Sequence, residues 1–294
     1  MSTWSAWVLE YAVAENFPLS LSIYGAHNRG ARRAPFSYVV LKQNDNVVMV
    51  DVGFGETARQ RQIAEDSEVT DWRDPHTVLA QIGLAPEQVT HVIVTHAHYD
   101  HFGNVSAFPN ATFFLSAREL EFWVKELALP PRLRTFVGPI DPADLIAAVD
   151  LSARGRLQLL ADGAPQLFPG LDVLPAWDTH TPGSVYVRLD TAEGPLVLAG
   201  DNVYAWENVE GLDGDGLLHP VGLVVGSNLQ ATHVLDGMLK DVEEQSRRII
   251  PVHEDRLRGQ YPSWQSDNGA MVVEVALQSG EPSRIPIGSN LSSR

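Results

Sequence analysis

The chain has no cysteine. Disulfides, thiolate metal sites and a cysteine nucleophile are therefore excluded together. Basic residues are scarce. Lys and Arg number 21 against 37 Asp and Glu, for a formal charge of −16. A surface of that sign repels phosphate backbones and anionic bilayers, which argues against nucleic acid or a membrane as partner. No apolar run approaches the ~18 residues of a membrane span. The N-terminal MSTWSAWVLEYAVAENF lacks a basic stretch ahead of an apolar one. No secretory signal is expected, and the cytoplasm is the expected compartment. Repeats, low-complexity tracts and Gly/Ser linkers are also missing, so residues 1–294 are expected to form a single domain.

With 44% hydrophobic and 20% charged residues, the remaining composition is that of an ordinary globular protein. Apolar runs predict strands at Ser37–Leu41 and Val47–Asp51, joined by the turn QNDN, and at His91–Thr95 and Thr112–Leu115. Further strands are expected at Leu171–Pro175, Val185–Leu189, Leu196–Ala199, Ile249–Val252 and Met271–Leu277, with AEG (192–194) closing a hairpin. Helices are expected over His76–Ile82, from Ser116 to about Leu127, over Asp144–Val149 and over Asn228–Ser246. Ser116 with Glu119 reads as a capping box. The mixture of alternating elements and hairpins predicts an α/β fold with mixed sheets covered by helices.

Only ten histidines occur, yet three crowd into VTHAHYDHFGN (94–104), as His96, His98 and His101 beside Asp100. Packed imidazoles lose solvation and repel one another when protonated. A divalent cation resolves this by holding them neutral. In an extended segment positions 96, 98 and 100 share a face and 101 points elsewhere, so one turn serves two metal ions. Three more candidates stand where apolar runs end: His180 in DTHTPGS, Asp201 in PLVLAGD and His253 in RRIIPVHED.

This H-x-H-x-D-H pattern with a distant His, Asp and His, preceded by VMVDVGFG with Asp51 and Gly53, resembles the metallo-β-lactamase-fold hydrolases. The likeness runs from about Val47 to Val252. It implies a four-layer αββα sandwich with two mixed β-sheets. It also implies two divalent metal ions, with zinc favoured and manganese, iron(II) or cobalt compatible with the same ligands. His96, His98 and His180 would bind the first, Asp100, His101 and His253 the second, and Asp201 would bridge. The implied chemistry is hydrolysis by a metal-bridging hydroxide. Measured against this family, the interval from His101 to His180 is long, which marks the proline-rich 129–165 as an expected insertion.

Within the family, AGDNVYAWENVE (199–210) resembles the N-acyl homoserine lactonases, in which a tyrosine follows the bridging aspartate by three residues. Tyr204 occupies that position and would stabilise or protonate the lactone oxygen. Asp100 and Tyr204 are thus the expected catalytic residues, and a small cyclic ester is the expected substrate. Ring opening of a cyclic amide or imide, and phosphotriester hydrolysis, fit the same ligands. A structural metal-binding module is the non-enzymatic alternative. A secreted β-lactamase would carry a signal peptide, a nuclease of this fold a basic surface, and a glyoxalase II a basic C-terminal extension. Phe102 and Trp206 are candidate substrate contacts, with Trp123 and Trp177 as further candidates for an apolar pocket. Arg29, Arg32 and Arg33, in YGAHNRGARRAPF (24–36), are candidates for drawing in a substrate carboxylate. The apolar loop GLLHPVGLVVGS (216–227) fits a pocket wall and a homodimer interface equally. His27, His76, His91, His219 and His233 are expected on the surface or satisfied in the core.

Overall fold

A computed structural model describes residues 3–286. Among these residues fourteen strands form two sheets. They are β1 (Ser5–Pro18), β2 (Ala31–Gln43), β3 (Asn46–Val50), β4 (Val69–Thr70), β5 (His91–Ile93), β6 (Thr112–Ser116), β7 (Leu157–Leu160), β8 (Ala164–Phe168), β9 (Leu171–Pro175), β10 (Val185–Thr191), β11 (Gly194–Leu198), β12 (Ile249–Ile250), β13 (Ser263–Gln265) and β14 (Met271–Ala276). The larger sheet runs β13-β14-β1-β2-β3-β5-β6-β7, with β4 added on β1, and the smaller runs β12-β11-β10-β9-β8. Both are mixed. The run β3-β5-β6-β7 is parallel, as is β11 with β12, and the other pairs are antiparallel.

Strand alternation builds the layers. On β1, Ala6 and Val8 face the second sheet, while Trp7 and Leu9 face the helices. The same split divides Val39 and Leu41 from Tyr38 and Val40 on β2, and Val48 and Val50 from Val47 and Met49 on β3. From the other sheet, Val185, Val187, Leu189, Leu196, Leu198 and Ile250 fill the space between the sheets. Their neighbours Tyr186, Val197 and Ile249 point outward onto Leu235 and Met238 of the helix Asn228–Asp241. On the far side of the larger sheet lie the helices Ala58–Asp66, Ala117–Leu127 and Pro142–Ala153, which contribute Ile63, Trp123, Leu145 and Leu151. Three apolar interfaces between four layers make the αββα sandwich.

Several elements differ from the sequence reading. β1 is fourteen residues long, and its first ten are buried, yet SAWVLEYAVA carries no alternation to reveal it. Both faces of the strand are covered, so both are apolar. β7, β8 and β13 are short, and β7 and β8 are half exposed. β7 is held by pairing with the distant β6, and β8 and β13 by hairpin-like pairing with the strands that follow them, β9 and β14. The helix expected at Asp144–Val149 spans Pro142–Ala153, because the Asp141 side chain accepts from Ala143 N and Pro142 starts the first turn. Ser116 makes no side-chain cap hydrogen bond. Glu119 turns inward instead, with consequences for the site.

Candidate metal centre

The carboxyl-terminal ends of β3, β5, β9, β11 and β12 open on one edge of the sandwich, and their loops carry all seven candidate ligands. After β5 the chain forms one helical turn, Tyr99–Phe102. That turn corrects the extended reading of 96–101, because it swings Asp100 away from His96 and His98 and sets it beside His101. Two groups result: His96, His98, His180 and Asp201, and Asp100, His101, Asp201 and His253. Within each group the candidate ligand atoms all lie within 4.8 Å of one another, and every residue is buried. Asp201 belongs to both. Its Oδ1 lies 3.0 Å from His101 Nε2 and 3.2 Å from His253 Nε2, while Oδ2 is 3.4 Å from His180 Nε2.

Backbone geometry fixes these positions. Gly200 adopts φ +54°, and a Cβ there would sit 2.9 Å from the Thr95 side chain. Only glycine lets the Asp201 turn pack this closely on the β5 loop. The imidazoles are oriented from behind. His101 Nδ1 is 2.7 Å from Asp51 Oδ2, His96 Nδ1 is 3.1 Å from Thr95 Oγ1, His180 Nδ1 is 2.6 Å from the Leu223 carbonyl, and His253 Nδ1 is 2.8 Å from that of Pro35. Asp51 also accepts from Thr95 N and Thr95 Oγ1. Such bonds set each ring so that Nε2 points into the centre.

The residues present fit divalent cations. His96 Nε2, His101 Nε2, His253 Nε2 and Asp201 Oδ1 are buried without a partner in hydrogen-bonding geometry among the described residues, although Asp201 Oδ1 lies at ion-pair distance from two of the rings. A buried polar atom left this way costs about 1–3 kcal/mol, so four converging on one space call for a ligand. His98 Nδ1 and His180 Nε2 are 3.1 Å apart. Neighbouring nitrogens around a tetrahedral zinc ion are separated by roughly that distance. Imidazole and carboxylate without thiolate suit a divalent metal of the first transition row.

Electrostatics divide the centre. Burial and the neighbouring rings hold His96 and His98 well below the ordinary imidazole range, and burial lowers His180. Burial also acts against charge on His101 and His253, but Asp201 and Asp100 outweigh it and push both upward. The Asp201 carboxyl is raised by burial and, more strongly, lowered by His101 and His253, ending well below its usual range. Tyr204 Oη donates to Asp201 Oδ2 at 2.6 Å. Burial, then Asp201 and Asp100, push this phenol well above its ordinary pKa, so it keeps its proton at neutral pH.

Over the centre opens a cavity of about 470 Å³. His98, Asp100, His180, Asp201, Tyr204 and His253 line its floor, and Phe17, Phe36, Ile63, Phe136, Leu223 and Val224 supply most of its walls.

A family model for the metallo-beta-lactamase superfamily matches residues 31–250. The chain belongs to this superfamily. N-acyl homoserine lactonases of a Bacillus species and of Bacillus cereus are 23% and 25% identical to it over 193 and 187 residues. Each match covers 58% of this chain and 65% of the lactonase, so the chain spans less than two thirds of these relatives. Among solved structures, an N-acyl homoserine lactone hydrolase with N-hexanoyl-L-homoserine at its catalytic metal center aligns with a TM-score of 0.62 at 17% identity, over 88% of this chain and 97% of that one. AidC, a dizinc quorum-quenching lactonase, aligns at 0.61 and 17%, over 95% and 97%. At these identities the structural likeness is one of fold.

Other candidate residues of this superfamily member lie elsewhere. Phe102 is fully buried in the core between the larger sheet and its helices and does not reach the cavity. Trp206 packs between the sheets, donates to the Ile249 carbonyl and has the Arg247 guanidinium 4.0 Å from its ring centroid. Trp123 lies behind His98, with ring centroids 5.6 Å apart, and Trp177 packs under Arg118. None of the three arginines proposed to draw in a substrate carboxylate lines the cavity. Arg32 and Arg33 lie within β2, and each arginine is paired: Arg29 with Asp213, Arg32 with Glu207, and Arg33 with Glu10 and Asp255. In so acidic a chain, carboxylates claim the cations first. The loop 216–227 walls the cavity through Gly222, Leu223, Val224 and Val225. No helix of the described residues is long and apolar enough to cross a membrane.

Sequence reasoning missed the aromatic walls and Glu119. Phe17, Phe36 and Phe136 come from three separate segments, and no local pattern unites them. For Glu119 the signal was present: a carboxylate placed among apolar helix positions, in ARELEFWV.

Proposed function

We propose that this protein is a metal-dependent hydrolase that opens a small cyclic ester, as a lactonase of the N-acyl homoserine lactonase kind. Residues 1–294 would act as one domain, with 129–165 an insertion that supplies part of the cavity rim. His96, His98, His180 and Asp201 would hold one ion, and Asp100, His101, His253 and Asp201 a second, with zinc as the first candidate. Bound there, the ions would supply a water acidic enough to attack at neutral pH and would polarise the ester carbonyl.

The observation that carries this reading is Tyr204, a protonated phenol 2.6 Å from Asp201 Oδ2 on the floor of an apolar cavity. Opening a lactone breaks the ring C–O bond, and the departing oxygen needs a proton. Tyr204 donates it. Asp100, which also lines the floor, accepts the proton of the attacking water. The phenylalanine and aliphatic walls favour a neutral substrate with an apolar substituent.

The test is proton release from lactones, cyclic imides, thioesters and phosphotriesters by metal-loaded protein. Turnover of lactones supports the reading. Turnover of imides or phosphotriesters alone would replace the substrate class, and inert protein with bound metal would favour a structural module. Tyr204→Phe is expected to lower kcat by about 10²–10³-fold, with metal content unchanged. Equal turnover would remove the proton-donor role.

A further inference from the structure

Glu119 sits in the first turn of the helix Ala117–Leu127 and is completely buried. None of its hydrogen bonds goes to a candidate ligand. Instead its two carboxylate oxygens divide four donors between two loops. Oε1 accepts from Ala97 N at 3.0 Å and from Trp123 Nε1 at 2.7 Å. Oε2 accepts from Thr181 Oγ1 at 2.7 Å and from Gly183 N at 2.9 Å. Ala97 lies between His96 and His98, and Thr181 follows His180. Trp123, the fourth donor, packs its ring on His98. The fit leaves no slack, because a Cβ on Gly183 would lie 2.2 Å from Glu119 N.

We propose that Glu119 is the positioning residue of the first metal group: one buried carboxylate that clamps the 96–98 loop to the 180–183 loop and thereby sets the spacing of His96, His98 and His180. The inference rests on the reading that these residues hold an ion, and its test separates the two. Three of its four donors, two backbone amides and an indole, cannot accept, so both side-chain oxygens must serve as acceptors, which a carboxyl group provides. An amide of the same shape does not. In Glu119→Gln the NH2 group must face either Ala97 N and Trp123 Nε1 or Gly183 N, and either way a buried donor loses its acceptor.

The experiment is zinc titration against a chelating competitor, with folding followed by circular dichroism. Wild type is expected to bind two zinc ions per chain. Glu119→Gln should weaken one of the two steps by about 10–100-fold and leave the other within a few-fold. His253→Ala keeps the first group whole, and adding Glu119→Gln to it should weaken its remaining step. Thr181→Val removes one donor with little change of shape and should weaken the same step less. It decides the matter if the glutamine variant does not fold. Unchanged zinc affinity in Thr181→Val and in folded Glu119→Gln would overturn the proposal. So would equal weakening of both steps, since that marks a residue serving the fold generally. A wild type that binds no zinc would instead overturn the metal site itself.

Discussion

The two halves of the centre are supported in different ways. In the second group a carboxylate acts directly on a ring: Asp51 Oδ2 lies 2.7 Å from His101 Nδ1. In the first group His96 faces a hydroxyl and His180 a backbone carbonyl, and the buried carboxylate, Glu119, reaches the loops instead of the rings. A ring held directly keeps its aim even when its loop shifts slightly. Rings held through their loops depend on the loops staying together. Glu119 joins loops that leave different sheets, the 96–98 loop after β5 and the 180–183 loop after β9. Asp51 and His101 instead come from the adjacent parallel strands β3 and β5.

The largest break in this comparison comes at the residue common to both halves. Asp201→Ala should strip metal from both groups and cost more turnover than the 10–100-fold typical of an outer partner. Metal analysis and lactone hydrolysis check it together. Next comes Asp51→Asn, which should weaken zinc in the second group by about 10–100-fold and the first group less, since Asp51 meets His101 directly and reaches His96 only through Thr95. Glu119→Gln should do the reverse. Loss at the same step in both variants would erase the distinction between the halves.

How much of this was legible in the sequence follows from the same geometry. His96, His98, Asp100 and His101 were visible because six neighbouring positions hold four of them, and Asp51 because Asp-x-Gly ends a recognisable strand. Which ligands share an ion was not visible from strand alternation, since the helical turn at Tyr99 changes the face of Asp100. Glu119 was read as a cap because its local spacing fits one. Only the fold reveals that Ala97 and Gly183 lie within its reach. The three arginines lie elsewhere for a related reason, as their carboxylate partners are 18 to 222 residues away along the chain. Pairwise contacts between distant segments are what composition and spacing leave out. β1 was hidden for another reason, because complete burial removes the alternation by which strands are recognised.

A smaller effect probes the helix Pro142–Ala153. Asp144 is buried beside Asp141, with Gln60 Nε2 donating to its Oδ1, and burial, then the neighbouring carboxylate, raise its pKa to about 7. The native state therefore keeps a proton that the unfolded chain releases near pH 4. Stability from this group is complete below that pH and is lost as pH rises through 7. Asp144→Asn should raise Tm at pH 8, by an amount on the order of a few kcal/mol of stability at most, and leave it unchanged at pH 4. Equal shifts at both pH values would contradict the assignment. The smallest effect is expected at the wall. Phe136 is half exposed where it lines the cavity, and Phe136→Ala should raise KM for lactones with apolar substituents a few-fold without altering kcat or bound metal.

The most direct test of the two-ion centre is anomalous X-ray diffraction from crystals grown with zinc. Two peaks are expected, one among His96, His98 and His180, the other among Asp100, His101 and His253, with Asp201 between them. A single peak, or zinc bound only away from these side chains, would contradict it.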